Sequence, residues 1–167
     1  MRTRPFELDD VDRRILDLLQ RDNRMKVAHM AAAVHVSAPT CLRRIRRLRE
    51  AGVIVADVSL VDPSFAGRGL TVFIEVMLEH HTEKEQAAFE RQVAGVSEIT
   101  QCYMVSGEID FLLVAQVADL AALDRLLTNV LSRNPNLRKS RSHFALHRAK
   151  FETMIPFGSA TAKRKAP

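Results

Sequence analysis

The chain has 167 residues, 47% of them hydrophobic and 27% charged, with a formal net charge of +5, which suits a soluble globular protein of one ordinary domain or two small ones. No apolar run nears the ~20 residues of a membrane-spanning helix, because "LTVFIEVML" and "FLLVAQVA" are short and carry Glu75 or Gln116. The opening "MRTRPFELDDVD" turns acidic where a signal peptide needs an apolar segment, so a cytoplasmic protein with no membrane partner is expected.

The charge is local. Residues 1–62 hold twelve basic and nine acidic side chains, residues 63–150 ten of each, and residues 151–167 three and one. Cys41 and Cys102 lack the C-x-x-C spacing of zinc or redox sites and read as small buried or half-buried thiols; no metal site and no cofactor are expected.

From Leu8 to Arg21 the apolar residues Leu8, Val11, Ile15, Leu18 and Leu19 fall on one helical stripe, with Asp9 and Asp12 suited to the free N–H groups of the first turn. A shorter helix is expected over Lys26 to Val34, with Val27, Met30, Ala31 and Val34 inward. Ser37 then caps a third helix, Pro39 sits in its first turn, and Gly52 stops it near Ala51.

That third helix contains "CLRRIRRLREAG", with Arg43, Arg44, Arg46, Arg47 and Arg49 inside seven residues. At 100° per residue Leu42, Ile45 and Leu48 face the core, Thr40, Arg43 and Arg47 lie opposite, and Arg44 and Arg46 flank them. A solvated charged face usually mixes signs to gain i to i+4 pairs, and residues 43–49 hold no acid among their arginines. Two helices joined by a tight turn, the second bearing a basic cluster, form the helix-turn-helix arrangement for double-stranded DNA. Ser37, Ala38, Pro39, Thr40, Arg43 and Arg44, near the helix start, are the candidates for reading DNA, and Arg46, Arg47 and Arg49 for gripping phosphates, although the pattern alone does not separate these roles.

"VIVADVSLVDP" reads as a strand ending at Pro63, and "DPSFAGRG" as a hinge. Next come a strand (70–79), a helix (83–94), strands (99–105 and 111–117), a helix (120–133) and a strand (137–147), the βαββαβ order of a ferredoxin-like sandwich. Thr82 with Glu85 and Asp119 are its helix caps, and Leu120, Leu123, Leu127 and Val130 its second helix's buried face. Leu70, Val72, Ile74, Val76 and Leu78 make one aliphatic face of the first strand, yet Phe73 and Met77 lie opposite; Phe111, Leu113, Ala115 and Val117 likewise oppose Leu112 and Val114. A sheet apolar on both faces implies self-association. The fold class is therefore α+β: a winged-type helix-turn-helix domain (1–62), a hinge (63–69), a ferredoxin-like sensing domain (70–157) and a basic disordered tail (158–167).

"LDDVDRRILDLLQRDNR", "VSAPTCLRRIRRLREAGVI", "CYMVSGEIDFLL" and the closing "TMIPF", in this order and spacing, make the chain resemble the leucine-responsive regulatory protein/asparagine-operon regulator (Lrp/AsnC, or feast/famine) family over about residues 7–157. The resemblance implies a transcription regulator, not an enzyme, that builds homodimers and larger rings and responds to a small effector, usually an amino acid bound where sensing domains of different protomers meet. It places Met104, Ser106, Gly107, Glu108 and Asp110 at the effector site. Gly107 would let the backbone approach a carboxylate, and Glu108 or Asp110 would meet an ammonium; an ordinary hairpin turn has the same composition. The sequence departs from the family at His35, where glycine is frequent, and at Arg43, where some relatives carry an acid.

Two other functions fit the same architecture. An enzyme resembling tetrapyrrole decarboxylases would recruit His80, His81, His143, His147 and Arg148, which share no spacing with a nucleophile or metal site. An architectural DNA compactor would need no effector and would bind without sequence preference.

Overall fold

A computed structural model of the chain describes residues 6–157. The chain divides into two compact units, one holding residues up to Ser59 together with the segment from Lys150, the other Leu60–Ala149.

The first unit contains α1 (Asp10–Arg21), α2 (Val27–Ala33) and α3 (Ala38–Glu50). Asp9 caps α1 by accepting from the Asp12 N–H, while the Asp12 carboxylate accepts from the Asp9 N–H, so two free donors are satisfied reciprocally. Ile15, Leu16, Met30, Ala31, Val34, Cys41, Ile45 and Leu48 form the core. Cys41 takes the place expected of Leu42, which is exposed, and Leu16 joins Ile15 inside. The helix-turn-helix turn is tight because His35 adopts φ +58°, with the Val36 N–H bonded to the Ala31 carbonyl and the His35 N–H to that of Ala32.

The expected strand after Gly52 does not form: residues 55–62 are irregular and exposed, with Val55 90% and Val61 69% accessible. A strand is held by a neighbour's ladder, and no segment among the described residues pairs with this one. Residues 62–68, in the stretch read as a hinge, form a bonded turn: Ser64 N–H donates to the Asp62 carboxylate, Arg68 N–H to the Pro63 carbonyl, and the Arg68 guanidinium to the Ser97 carbonyl. Residues 150–157, expected in the sensing domain, belong to the first unit. The Gln20 side-chain amide donates to the Ile155 carbonyl and accepts its N–H, and Phe157 packs on the helical core. The basic tail lies outside the described residues.

The second unit holds β1 (Leu70–Leu78), α4 (Glu83–Ala94), β2 (Ile99–Met104), β3 (Phe111–Val117), α5 (Leu120–Leu126) and β4 (Leu137–Phe144). The antiparallel sheet runs β2-β3-β1-β4, the ferredoxin-like arrangement. Thr82 and Asp119 cap α4 and α5. Val72, Ile74, Val76, Leu78, Phe111, Leu113, Ala115 and Val117 pack with Phe89, Val93, Leu123, Leu126 and Leu131 of the helical layer. The other sheet face carries Phe73, Met77, Leu112, Val114 and Tyr103, with Glu75 ion-paired to His143 and Arg141. Leu120, expected inside, is 65% exposed at the first position of α5, whose Leu123 and Leu126 are buried; α5 runs into a π-helical turn (Leu127–Leu131) that buries Leu131.

Candidate functional site

Two sets of residues were expected to carry function, and each unit places one of them. In the first unit the Ser37 hydroxyl accepts from the Thr40 N–H at 3.3 Å and donates to the Thr40 hydroxyl at 2.9 Å, fixing the start of α3. Ser37, Ala38 and Pro39 are exposed there, followed by exposed Arg43 and Arg46, which make no ion pair among the described residues.

Arg44 and Arg47 do something the helical wheel did not show. Arg44 turns back to α1, donating to Asp9 at 2.6 Å and Asp12 at 2.8 Å, and its Nε is buried without a partner. Arg47 bonds the other Asp12 oxygen and lies over the Phe6 ring at 5.0 Å. Burial alone would raise the Asp9 carboxyl, but the bonds from Arg44 and the Asp12 N–H, with the Arg44 charge, hold it below the usual carboxylate range. The same pairing with Asp9 and Asp12 raises Arg44 further. Arg49 is paired to Asp57 at 2.9 Å. Three of the five arginines therefore have acids after all, supplied from the start of α1 for Arg44 and Arg47 and from the segment after α3 for Arg49. The only sequence signal was Asp9 and Asp12, which read as N-terminal helix charges.

In the second unit, "VSGEID" forms the bend between β2 and β3. Gly107 has φ +134°, a backbone conformation side chains rarely adopt, and an added Cβ would meet nothing within 4 Å. Met104, Ser106, Gly107 and Glu108 are exposed. Asp110 is not: its Oδ2 accepts from the Leu78 N–H at 2.8 Å, its Oδ1 lies 2.7 Å from His81 Nδ1, and its backbone bonds Val105 and Val76. Asp110 thus anchors the loop to the end of β1, while Glu108 is exposed on the bend. His81, named in the sequence only for the enzyme alternative, is the side chain that meets Asp110 here. None of the five expected effector residues lines the open groove of about 400 Å³ between α4 and β2, where Glu90, Thr100 and Cys102 are found. There the adjoining wall of α4 and then Glu90 push the Cys102 thiol up.

Among the described residues no three His, Cys, Asp or Glu side chains converge as a metal site requires, and no helix is long and apolar enough to cross a membrane. His143 is tied to Glu75 on the sheet and His81 to Asp110 near the loop, so the histidines do not gather.

A helix-turn-helix with a basic second helix, followed by a separate ferredoxin-like domain, defines a two-domain DNA-binding regulator. The AsnC-type helix-turn-helix domain matches residues 8–49 and the Lrp/AsnC ligand binding domain residues 71–155, and the chain belongs to the Lrp/AsnC family of transcriptional regulators. It is similar to the DNA-binding transcriptional activator DecR of Escherichia coli, 32% identical over 149 residues that cover 89% of this chain and 98% of that one. It is also similar to the glutamate uptake regulatory protein of Zymomonas mobilis, 36% identical over 96% and 98% of the two chains. Among solved structures, an AsnC family regulator from Agrobacterium tumefaciens superposes with a TM-score of 0.83 at 34% identity, covering 89% of this chain and 97% of that one. A Neisseria meningitidis transcriptional regulator in complex with L-Met does so with a TM-score of 0.83 at 29% identity, covering 90% and 97%.

Proposed function

We propose that this regulator binds DNA as a homodimer or larger homo-oligomer and that an amino acid, held at the β2–β3 loop, modulates that binding. The observation that carries the reading is the exposed N-terminal half of α3, where the capped Ser37–Thr40 turn precedes unpaired Arg43 and Arg46: a recognition helix presents its first turns to base edges. Arginine suits either partner there, since its planar fork bonds the O6 and N7 edge of guanine or a phosphate. An amino-acid effector is supported by the positive-φ Gly107 backbone beside Glu108, a place for a carboxylate next to one for an ammonium, and by the bound L-Met of the Neisseria relative. The groups lie on an open bend, in keeping with a pocket completed by a second protomer. Self-association is further supported by the second apolar sheet face. The regulator reading also opposes catalysis, since the relatives above are named as regulators and the histidines here are scattered.

The test is a thermal-shift screen of the purified protein against the twenty amino acids, with hemin as a control. A ligand at 100 times its Kd stabilises by ~2.7 kcal/mol, and Gly107→Val should erase the shift while leaving DNA affinity largely intact. A shift that survives in Gly107→Val would move the effector away from this loop. A response to hemin alone would favour the decarboxylase-like alternative, and silence on every ligand the DNA compactor.

A further inference from the structure

A single carboxylate of α1 controls two of the five arginines of α3. Asp12 has no exposed surface, its Oδ1 bonds Arg44 and its Oδ2 bonds Arg47, and Asp9 takes a second bond from Arg44. A buried charge persists only when it is paired, so Asp12 and its guanidiniums hold one another. Arg47 also lies over the Phe6 ring at 5.0 Å, with its side chain 48% exposed. The Arg44 side chain is left 22% exposed, against a helix start that is open to solvent.

From this geometry we infer that Asp12 is a positioning residue for DNA recognition: it withholds Arg44 and Arg47 from the DNA and restricts the cations that α3 offers to Arg43 and Arg46. The inference rests on α3 being the DNA face. Its consequence follows from how such proteins bind. Each cation that reaches a phosphate adds sequence-independent affinity and about −0.9 to the slope of log K against log salt. Phosphate contacts carry no sequence information, whereas base-edge contacts do. Retaining two arginines on α1 therefore lowers affinity for random and preferred DNA by about the same factor, and Asp12 sets how tightly, and how salt-dependently, the protein holds any duplex without touching a base.

The experiment is fluorescence anisotropy over a salt series, on a duplex recovered by in vitro selection with the unaltered protein and on a scrambled duplex of equal length. Asp12→Asn keeps the shape and removes the charge. Freed arginines should steepen the salt slope by about 1 to 2 on both duplexes, raising affinity for both at low salt while the selected-to-scrambled ratio stays about the same. An unchanged slope, with both duplexes weakened equally, would show that Asp12 only supports the fold and would overturn the inference. Should Asp12→Asn fail to fold, Arg47→Gln and Arg43→Gln decide the matter. The salt slope should stay unchanged on losing Arg47 and lose about 0.9 on losing Arg43. Equal losses from the two would overturn the clamp alone. No loss from either would overturn the placement of the DNA face on α3, and the inference with it.

Discussion

His35 and Gly52 occupy the same position in two copies of one local structure. At the end of α2 the Val36 N–H bonds the Ala31 carbonyl and the His35 N–H that of Ala32; at the end of α3 the Val53 N–H bonds the Leu48 carbonyl and the Gly52 N–H that of Arg49. Both central residues have positive φ, +58° for His35 and +69° for Gly52. This Schellman geometry suits glycine because a Cβ crowds the backbone there, at roughly 1–2 kcal/mol for an ordinary side chain. His35 is exposed and makes no side-chain bond among the described residues that would offset this cost. His35→Gly should therefore stabilise the first unit, by about 0.5–1 kcal/mol once the greater freedom of glycine in the unfolded chain is deducted. Gly52→Ala should destabilise it by a similar amount. Urea melts of the two variants check the pair, and a His35→Gly protein no more stable than its parent would show that the histidine contributes something the turn geometry does not contain.

The π-helical turn after α5 is held from a neighbouring element. Ser132 N–H bonds the Leu127 carbonyl five residues back, and the Val130 carbonyl accepts from the Gln92 side chain of α4 at 2.6 Å. Gln92 in turn accepts from the Asn134 amide. Gln92→Leu leaves a partly buried carbonyl and amide unpaired, and each such group costs about 1–3 kcal/mol; the expected result is a stability loss in that range by denaturant titration, and a loss below 0.5 kcal/mol, typical of a surface change, would mean the π turn keeps its shape unaided. This turn also marks how far the sequence could be read. Helix caps at Ser37, Thr82 and Asp119 were legible because a cap is a bond within three residues, and the strands were legible because their apolar alternation is local. The π turn was not, since its support comes from a glutamine 38 residues away. The same holds for Arg44 and Arg47, whose partners in α1 are more than 30 residues upstream. The Val55–Val61 segment has the apolar composition of a strand, but composition does not supply the neighbour that a ladder needs.

For the molecule as a whole, the uncovered sheet face decides whether one chain is a complete unit. Phe73 is 39% and Tyr103 52% exposed there, with Leu112 and Val114 between them on β3 and Met77 further along β1. Glu75 is paired to His143 at 3.3 Å in the middle of the face. Isolated exposed hydrophobics are ordinary, whereas a contiguous set marks an interaction surface. A second copy of this chain would meet the same Phe73 and Leu112 across a two-fold axis, giving the self-complementary contact of a dimer. Two helix-turn-helix heads would then be available for half-sites spaced by about one helical turn of DNA, ~10 bp. Phe73→Glu sets a charge two positions from Glu75 on the same face, so each copy would bring like charges to the contact. The sheet's other face, which holds the core, is untouched, and the variant should fold. By sedimentation its mass should fall to that of the 18.8 kDa chain at concentrations where the parent associates. Its affinity for a two-half-site duplex should drop toward that for a single half-site, because the second head no longer binds as part of the same particle. A variant of unchanged mass would remove this face from the assembly, and the search for the contact would pass to the exposed Val55–Val61 segment.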